Sequence, residues 1–428
     1  MNINQKIFNF LRRLEKYTKT DMIYLTKGGF WLVSGQVISS FAVFLSLIAF
    51  ANLLPPVVYG NYKYLLSIFG LLSIFSLTGM GKALAQAVAR GYEGSIFDAF
   101  WLKLKWSLGG SLVVFVLAGY YWLHDNNNLP IPLLLAGIFL PLMQASNLYS
   151  DYLGGRKDFK SLTKFNVLNN ILGSLFLIAV LFFSQNLFII IAAYLLIYTF
   201  LNAFFFTKII ARFRPNLETD EKTLSYGKHL SLMDVLNVIA EYFDRLLIFQ
   251  LLGATELAIY SLAIAPVEKI KGYLKNIQTL ALPKFSLRSG QEIKSTIYKK
   301  MSLLALFILI IVIFYIIFIP FAFRLFFPQY LSSIGYSQIF ALSLVASAAM
   351  LAYSALLAQM ARKELYRVNI IMPIIQIILL FICISFWGLW GAIWARVIIR
   401  FLFSFFFSWS VKKFEPSPQP QNYHNQNF

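Results

Sequence analysis

The chain has 428 residues, 59% of them hydrophobic, 17% aromatic and only 13% charged, with a mean hydropathy of +0.69. A soluble domain carries about 25% charged residues, so this composition excludes one and predicts an integral membrane protein. The net charge of +19 would suit nucleic acid, but the bases are scattered through short loops and form no basic face, so no nucleic-acid partner is expected. The single cysteine, Cys383, excludes a disulfide framework, and His124, His229 and His424 form no ligand motif.

Residues 1–27 form a basic N-terminal segment. Ile7, Phe10, Leu11 and Leu14 share a helical face ringed by Lys6, Arg12, Arg13 and Lys16. That pattern suits a helix on anionic membrane lipids, and equally a solvated basic lead-in. Apolar spans are then predicted at Gly28–Ala51, Tyr62–Gly81, Trp106–Leu123, Ile131–Tyr149, Phe165–Phe183 and Leu187–Phe206. A second set lies at Leu230–Leu252, Leu257–Leu282, Met301–Phe323, Ile334–Gln359, Val368–Trp387 and Gly388–Lys412. The fold class is therefore all-α and polytopic, with about twelve transmembrane helices.

Most of the 37 Lys and Arg residues fall in alternate loops on one side, Lys103 and Lys105 among them, whereas the opposite loops hold only Arg324. The positive-inside rule then puts both termini in the cytoplasm. The longest inner linker, residues 207–228, divides a first six-helix bundle at 28–206 from a second at 229–412. Residues 413–428 form a Pro/Gln/Asn-rich tail expected to be disordered. Segments after the first and seventh spans resemble each other: Leu53-Leu54 aligns with Leu251-Leu252, and Tyr62 with Tyr260. With six spans per half, this reads as a parallel pseudo-repeat about an axis along the membrane normal.

The seventh span holds Asp234, Glu241, Asp244 and Arg245. A charge at mid-membrane costs about 2.5–3.5 kcal/mol or more, so these groups need partners or a polar cavity. Asp234, Glu241 and Arg245 fall on one helical stripe. Glu241 is expected deepest, one turn from Arg245, as a proton or sodium coupling group or as half of a structural pair. The eighth span holds Glu268, Lys269, Lys271 and Lys275 after a kink expected at Pro266, and Lys63 lies near the rim of the second. The twelfth carries Arg396 and Arg400 at i,i+4. Interior bases outnumber acids, and Arg forks match phosphate oxygens. Arg396, Arg400, Arg245, Lys271 and Lys269 are therefore candidate anion-binding residues, and Asp234, Glu241, Asp244 and Glu268 candidate coupling or gating groups. Structural pairing of Arg396 or Arg400 with Asp234, Glu241 or Asp244 is the competing reading.

The stretches LLPPVVYGNYKYLLSI at Leu53–Ile68 and LTGMGKALAQAVAR at Leu77–Arg90 resemble the opening of the polysaccharide-biosynthesis flippases, with Pro55 where that family usually has Gly. LLGATELAIYSLAIAPVEKI at Leu251–Ile270 is similar to the matching segment of the second half. The family belongs to the multidrug/oligosaccharidyl-lipid/polysaccharide exporter (MOP) superfamily. The resemblance implies two six-helix bundles around a central cavity, alternating access without ATP hydrolysis, and a polyprenyl-diphosphate-linked oligosaccharide as cargo. It implies surface-polysaccharide assembly at the inner (cytoplasmic) membrane, where other assembly proteins are candidate partners. No cofactor or metal is expected beyond a coupling ion. A multidrug or organic-cation antiporter of the same superfamily is the runner-up, disfavoured by the basic interior. A membrane glycosyltransferase comes third; the sequence has no enzyme motif.

Overall fold

A computed structural model describes residues 22–124, 128–286, 290–359 and 362–413; the side chains of 22–30, 32–33, 276–284, 286, 290, 362–363 and 365 are left aside. Most of the basic N-terminal segment and the C-terminal tail lie outside the described residues. Among the described residues the regular structure is all helix, with no strand. In order it forms α1 (Met22–Leu53), α2 (Pro56–Leu72), α3 (Met80–Ala89), α4 (Ser95–Leu123), α5 (Pro130–Ser146), α6 (Leu148–Gly155) and α7 (Phe159–Phe183). These are followed by α8 (Leu187–Phe213), α9 (Glu221–Leu252), α10 (Ala254–Ser286), α11 (Gly290–Phe326), α12 (Ser333–Leu342), α13 (Met350–Ala358) and α14 (Arg362–Lys413).

Each of the twelve predicted spans is met by helix, and the molecule is an all-α polytopic membrane protein. Among the described residues, nine helical stretches are long and apolar enough to cross a bilayer by length and composition alone. The charged α9 and α10 fall outside that test. The stretch Tyr366–Lys413 combines two predicted spans. Outward-facing side chains such as Val116, Phe183, Ile310 and Phe321 are exposed, as lipid contact requires. Span two is not one helix: α2 ends in a 3-10 turn, Ser73–Ser76, and left-handed Leu77 separates it from α3. The helix α10 continues through Pro266.

The chain divides into two compact units. The first is Met1–Ser261 with Leu325–Tyr330, and the second is Leu262–Arg324 with Leu331–Phe428. This division falls inside α10, whereas the sequence division lies in the 207–228 linker. The reason is local. Helices α8 and α9 shorten the linker to a few residues, and Asn216 and Asp220 then pin it to the first unit. The Asn216 side chain accepts from the Glu93 and Gly94 amides and donates to the Gly91 carbonyl at 2.8 Å. Asp220 caps α9 by accepting from the Lys222 amide, and pairs with Arg90 at 2.6 Å. Desolvation pushes its carboxyl up, but the Thr223 hydroxyl, the Lys222 amide and Arg90 outweigh this and hold it below the usual range. The cap therefore works at neutral pH and is lost as pH falls through that lowered value. Beyond it, α9 packs along α2 and α3.

In the second unit the boundary between predicted spans eleven and twelve is a tight turn. Gly388, with φ 56° and ψ −134°, turns the chain within α14. That backbone suits the first central position of a II′ turn, which only glycine adopts cheaply. Gly391 then lies against the Cys383 backbone, leaving no room for a Cβ. Gly388→Ala should lower stability by about 1–3 kcal/mol. A thermal melt of the detergent-purified protein checks this, and an unchanged midpoint would contradict the strain argument.

Candidate functional site

The second unit contains a cavity of about 400 Å³, within the range of about 300–1,000 Å³ usual for ligand sites. Its existence follows from small side chains. Between α12 and α13 the chain forms a 3-10 segment, Val345–Ala349, where Ala346, Ser347 and Ala349 line the cavity and leave space that larger residues would fill. One rim comes from α10 with Lys271 and Lys275. The wall opposite in sequence comes from α14, with Asn369 and Gln376 before the Gly388 turn and Arg396 and Arg400 after it.

The two arginines are the buried cations of this cavity, Arg396 being 9% exposed. Arg400 is held on three sides. It donates to the Ser343 hydroxyl at 2.8 Å, forms an ion pair with Glu268, and lies 4.5 Å from the Phe340 ring centroid. Ser343 in turn donates to the Phe340 carbonyl at 2.6 Å. Glu268 also faces Lys271 at 3.7 Å, one turn along its own helix. The cavity thus gathers four basic residues among hydroxyl and amide groups, and two of them, Arg400 and Lys271, pair with the Glu268 carboxylate. Such a cavity attracts an anion and offers guanidinium forks to planar or tetrahedral oxyanions.

The other candidates separate. Lys269 is exposed and does not line the cavity, because it sits off the Glu268–Lys271–Lys275 face of α10. The four α9 candidates, Asp234, Glu241, Asp244 and Arg245, belong to the first unit. Asp234 pairs with Lys82 at 3.0 Å, both partly exposed, a contact worth about 0–1 kcal/mol. Glu241 is exposed at the protein surface, whereas Asp244 is fully buried. Three residues turn a helix by about 300°, which leaves the two only about 60° apart: Asp244 lies on the packed side of α9 and Glu241 at its open edge. Asp244 accepts from the Tyr260 hydroxyl and from the Arg245 amide at 2.9 Å. The Arg245 guanidinium lies 5.4 Å from the Tyr242 ring centroid.

Several polar groups were missed in the sequence. Asn369 and Gln376 lie seven residues apart on one face of an apolar helix, a spacing that could have marked them. Lys103 is another: α4 begins at Ser95, so Lys103 is a buried helical residue and not a loop residue. A third group is the amide cluster of the first unit, where Asn169 donates to Asn202 at 2.7 Å and to Tyr149 at 3.1 Å.

The comparisons with known proteins now bear on this geometry. The family model described as polysaccharide biosynthesis protein matches residues 25–289, more than half of the chain. The chain belongs to this family. No curated protein matches significantly. Among solved structures, a multidrug resistance MATE family transporter of the MOP superfamily is similar in its inward-facing conformation. That match has a TM-score of 0.65 at 14% identity, covering 88% of this chain and 94% of that one. An outward-facing MATE family transporter gives 0.59 at 14% identity, covering 90% and 94%. A MOP superfamily transporter from Pyrococcus furiosus, described by the reverse polarity of its binding pocket, gives 0.58 at 15% identity, covering 92% and 96%. The family member therefore has the MOP-transporter fold.

The buried Asp244–Tyr260 contact makes a stability prediction. Tyr260→Phe removes a donor from a fully buried carboxylate, which should cost about 1–3 kcal/mol. The double change with Asp244→Asn should recover part of it. Thermal melts of the three variants measure this, and a Tyr260→Phe protein as stable as wild type would refute it.

Proposed function

We propose that this protein is a carrier and not an enzyme, moving a polyprenyl-diphosphate-linked oligosaccharide across the cytoplasmic membrane by alternating access. The observation that carries this is the cavity of the second unit, where Arg396, Arg400, Lys271 and Lys275 converge in a member of a polysaccharide-biosynthesis family. A diphosphate diester carries about two negative charges at neutral pH, and paired Arg side chains can each take two of its oxygens. The glycan would follow through polar space lined by groups such as Asn369 and Gln376 while the polyprenyl tail stays in lipid. A six-plus-six parallel repeat, at 28–206 and 229–412, would supply the alternation. A proton or sodium gradient would drive it, with Asp234, Glu241, Asp244 and Glu268 as candidate coupling groups. Arg245 would be a secondary anion contact; Lys269 has no place in the cavity. Other polysaccharide-assembly proteins are the partners to look for.

The multidrug-antiporter reading is favoured by one observation, the likeness to multidrug resistance MATE transporters. Against it, a cavity lined by four bases would repel an organic cation. A drug-efflux assay separates the two, because accumulation of a lipid-linked glycan on deletion, without drug sensitivity, supports the flippase alone. A membrane glycosyltransferase would instead transfer sugar from a lipid-linked donor when purified.

Arg396→Ala/Arg400→Ala should abolish transport while folded protein persists, and the Lys pair should rescue only partly, since a point charge lacks the bidentate fork. Full transport by the double Ala variant in reconstituted vesicles would end this reading. The positive-inside pattern further predicts cytoplasmic signals from reporters fused after Phe428 and at residues 214–220. An external signal at either place would overturn the topology.

A further inference from the structure

Arg400 already holds an anion. Its guanidinium is only 10% exposed, and it pairs with the Glu268 carboxylate, itself 33% exposed. Ser343 and Phe340 also hold the guanidinium, without neutralising it. Any phosphate that uses Arg400 must share it with Glu268 or remove it, because two anions at one guanidinium repel strongly where water is scarce. The carboxylate has somewhere to go. Lys271 lies 3.7 Å away on the same helix, with a flexible stem and more exposure. Leaving Arg400 does not therefore strand Glu268 without a cation, which would be costly. Arg396 and Lys275 line the same cavity. A diphosphate can engage several of these bases at once, where Glu268 offers a single charge.

We propose that Glu268 is a resident counter-anion: it occupies Arg400 in the empty carrier, gives way to the cargo's diphosphate by moving to Lys271, and returns to expel the cargo. This rests on the diphosphate reading of the cavity and adds to it a device for release. Without a competing carboxylate, the bases of this cavity would hold a diphosphate more tightly and release it more slowly. A carboxylate that competes for one of the bases weakens the bound state and shields the buried guanidinium while the site is empty. Glu268 needs no direct contact with cargo to act in this way. It positions Arg400 when the site is empty and competes for it when the site fills.

The experiment uses the full chain in detergent and in proteoliposomes, with inorganic pyrophosphate as the binding probe. Glu268→Gln keeps the shape and removes the charge. It should bind pyrophosphate about tenfold more tightly than wild type, the size expected from removing one like charge near the site. In vesicles, lipid-linked glycan transport should show a lower half-saturation and a lower maximal rate, a split that general destabilisation does not produce. Glu268→Asp draws the carboxylate back from Arg400 and should shift both quantities the same way by less. It is the deciding variant should the Gln protein fail to fold. Unchanged or weaker pyrophosphate binding by a folded Glu268→Gln or Glu268→Asp protein would overturn the proposal. Arg400→Ala separates the two levels. Lost binding there, with no gain in the Glu268 variants, sinks the counter-anion role and leaves the cavity reading standing. No pyrophosphate binding by wild type or any variant sinks both.

Discussion

A charge inside an apolar protein must find a partner, and that constraint shapes this molecule more than any single packing contact. A sequence with 13% charged residues that still places carboxylates and bases within its spans has to bring distant segments together to satisfy them. Asp244 is satisfied by Tyr260 and by the Arg245 amide, which ties the end of α9 to the start of α10. Glu268 and Arg400 tie α10 to α14 in the second unit. Hydrophobic burial alone would leave such helices free to slide, since lipid tails and side chains are equally apolar. Hydrogen-bonded charges fix their register.

The same constraint explains what was legible in advance. Span positions, helix-only architecture and the turn at Gly388 are consequences of hydropathy and glycine geometry, and both are local properties of the chain. The face of α10 bearing Glu268, Lys271 and Lys275 could be read from i,i+3,i+7 spacing, as could the Arg396–Arg400 face. Two things could not. The burial of Asp244 beside an exposed Glu241 depends on which side of α9 its neighbours cover, and that is a tertiary fact. The partner of Arg400 was equally invisible, because Glu268 stands 132 residues away. Residues 207–228 read as a polar linker, and its contacts were not legible: Asn216 and Asp220 bind it to the turn at Gly91–Ser95.

The four bases of the cavity are not equivalent, and their differences follow from chemistry and placement. Arg396 and Arg400 are buried on one helix, and Ser343 and Phe340 hold the Arg400 guanidinium in a single orientation. A fork fixed in this way loses little entropy on meeting a phosphate, and its geometry selects oxyanions that present two oxygens together. Lys271 and Lys275 sit on α10 at the more exposed rim, with mobile stems and compact charges. Such ammonium groups pull an anion in over longer range without demanding its orientation. If all four were lysines, the cavity would attract diphosphate but hold it loosely. If all four were fixed arginines, the carboxylate of Glu268 would have no flexible partner to move to. The mixture of two buried forks, two more exposed point charges and one acid is therefore what the proposed carrier would need in order to bind a charged head group and let it go.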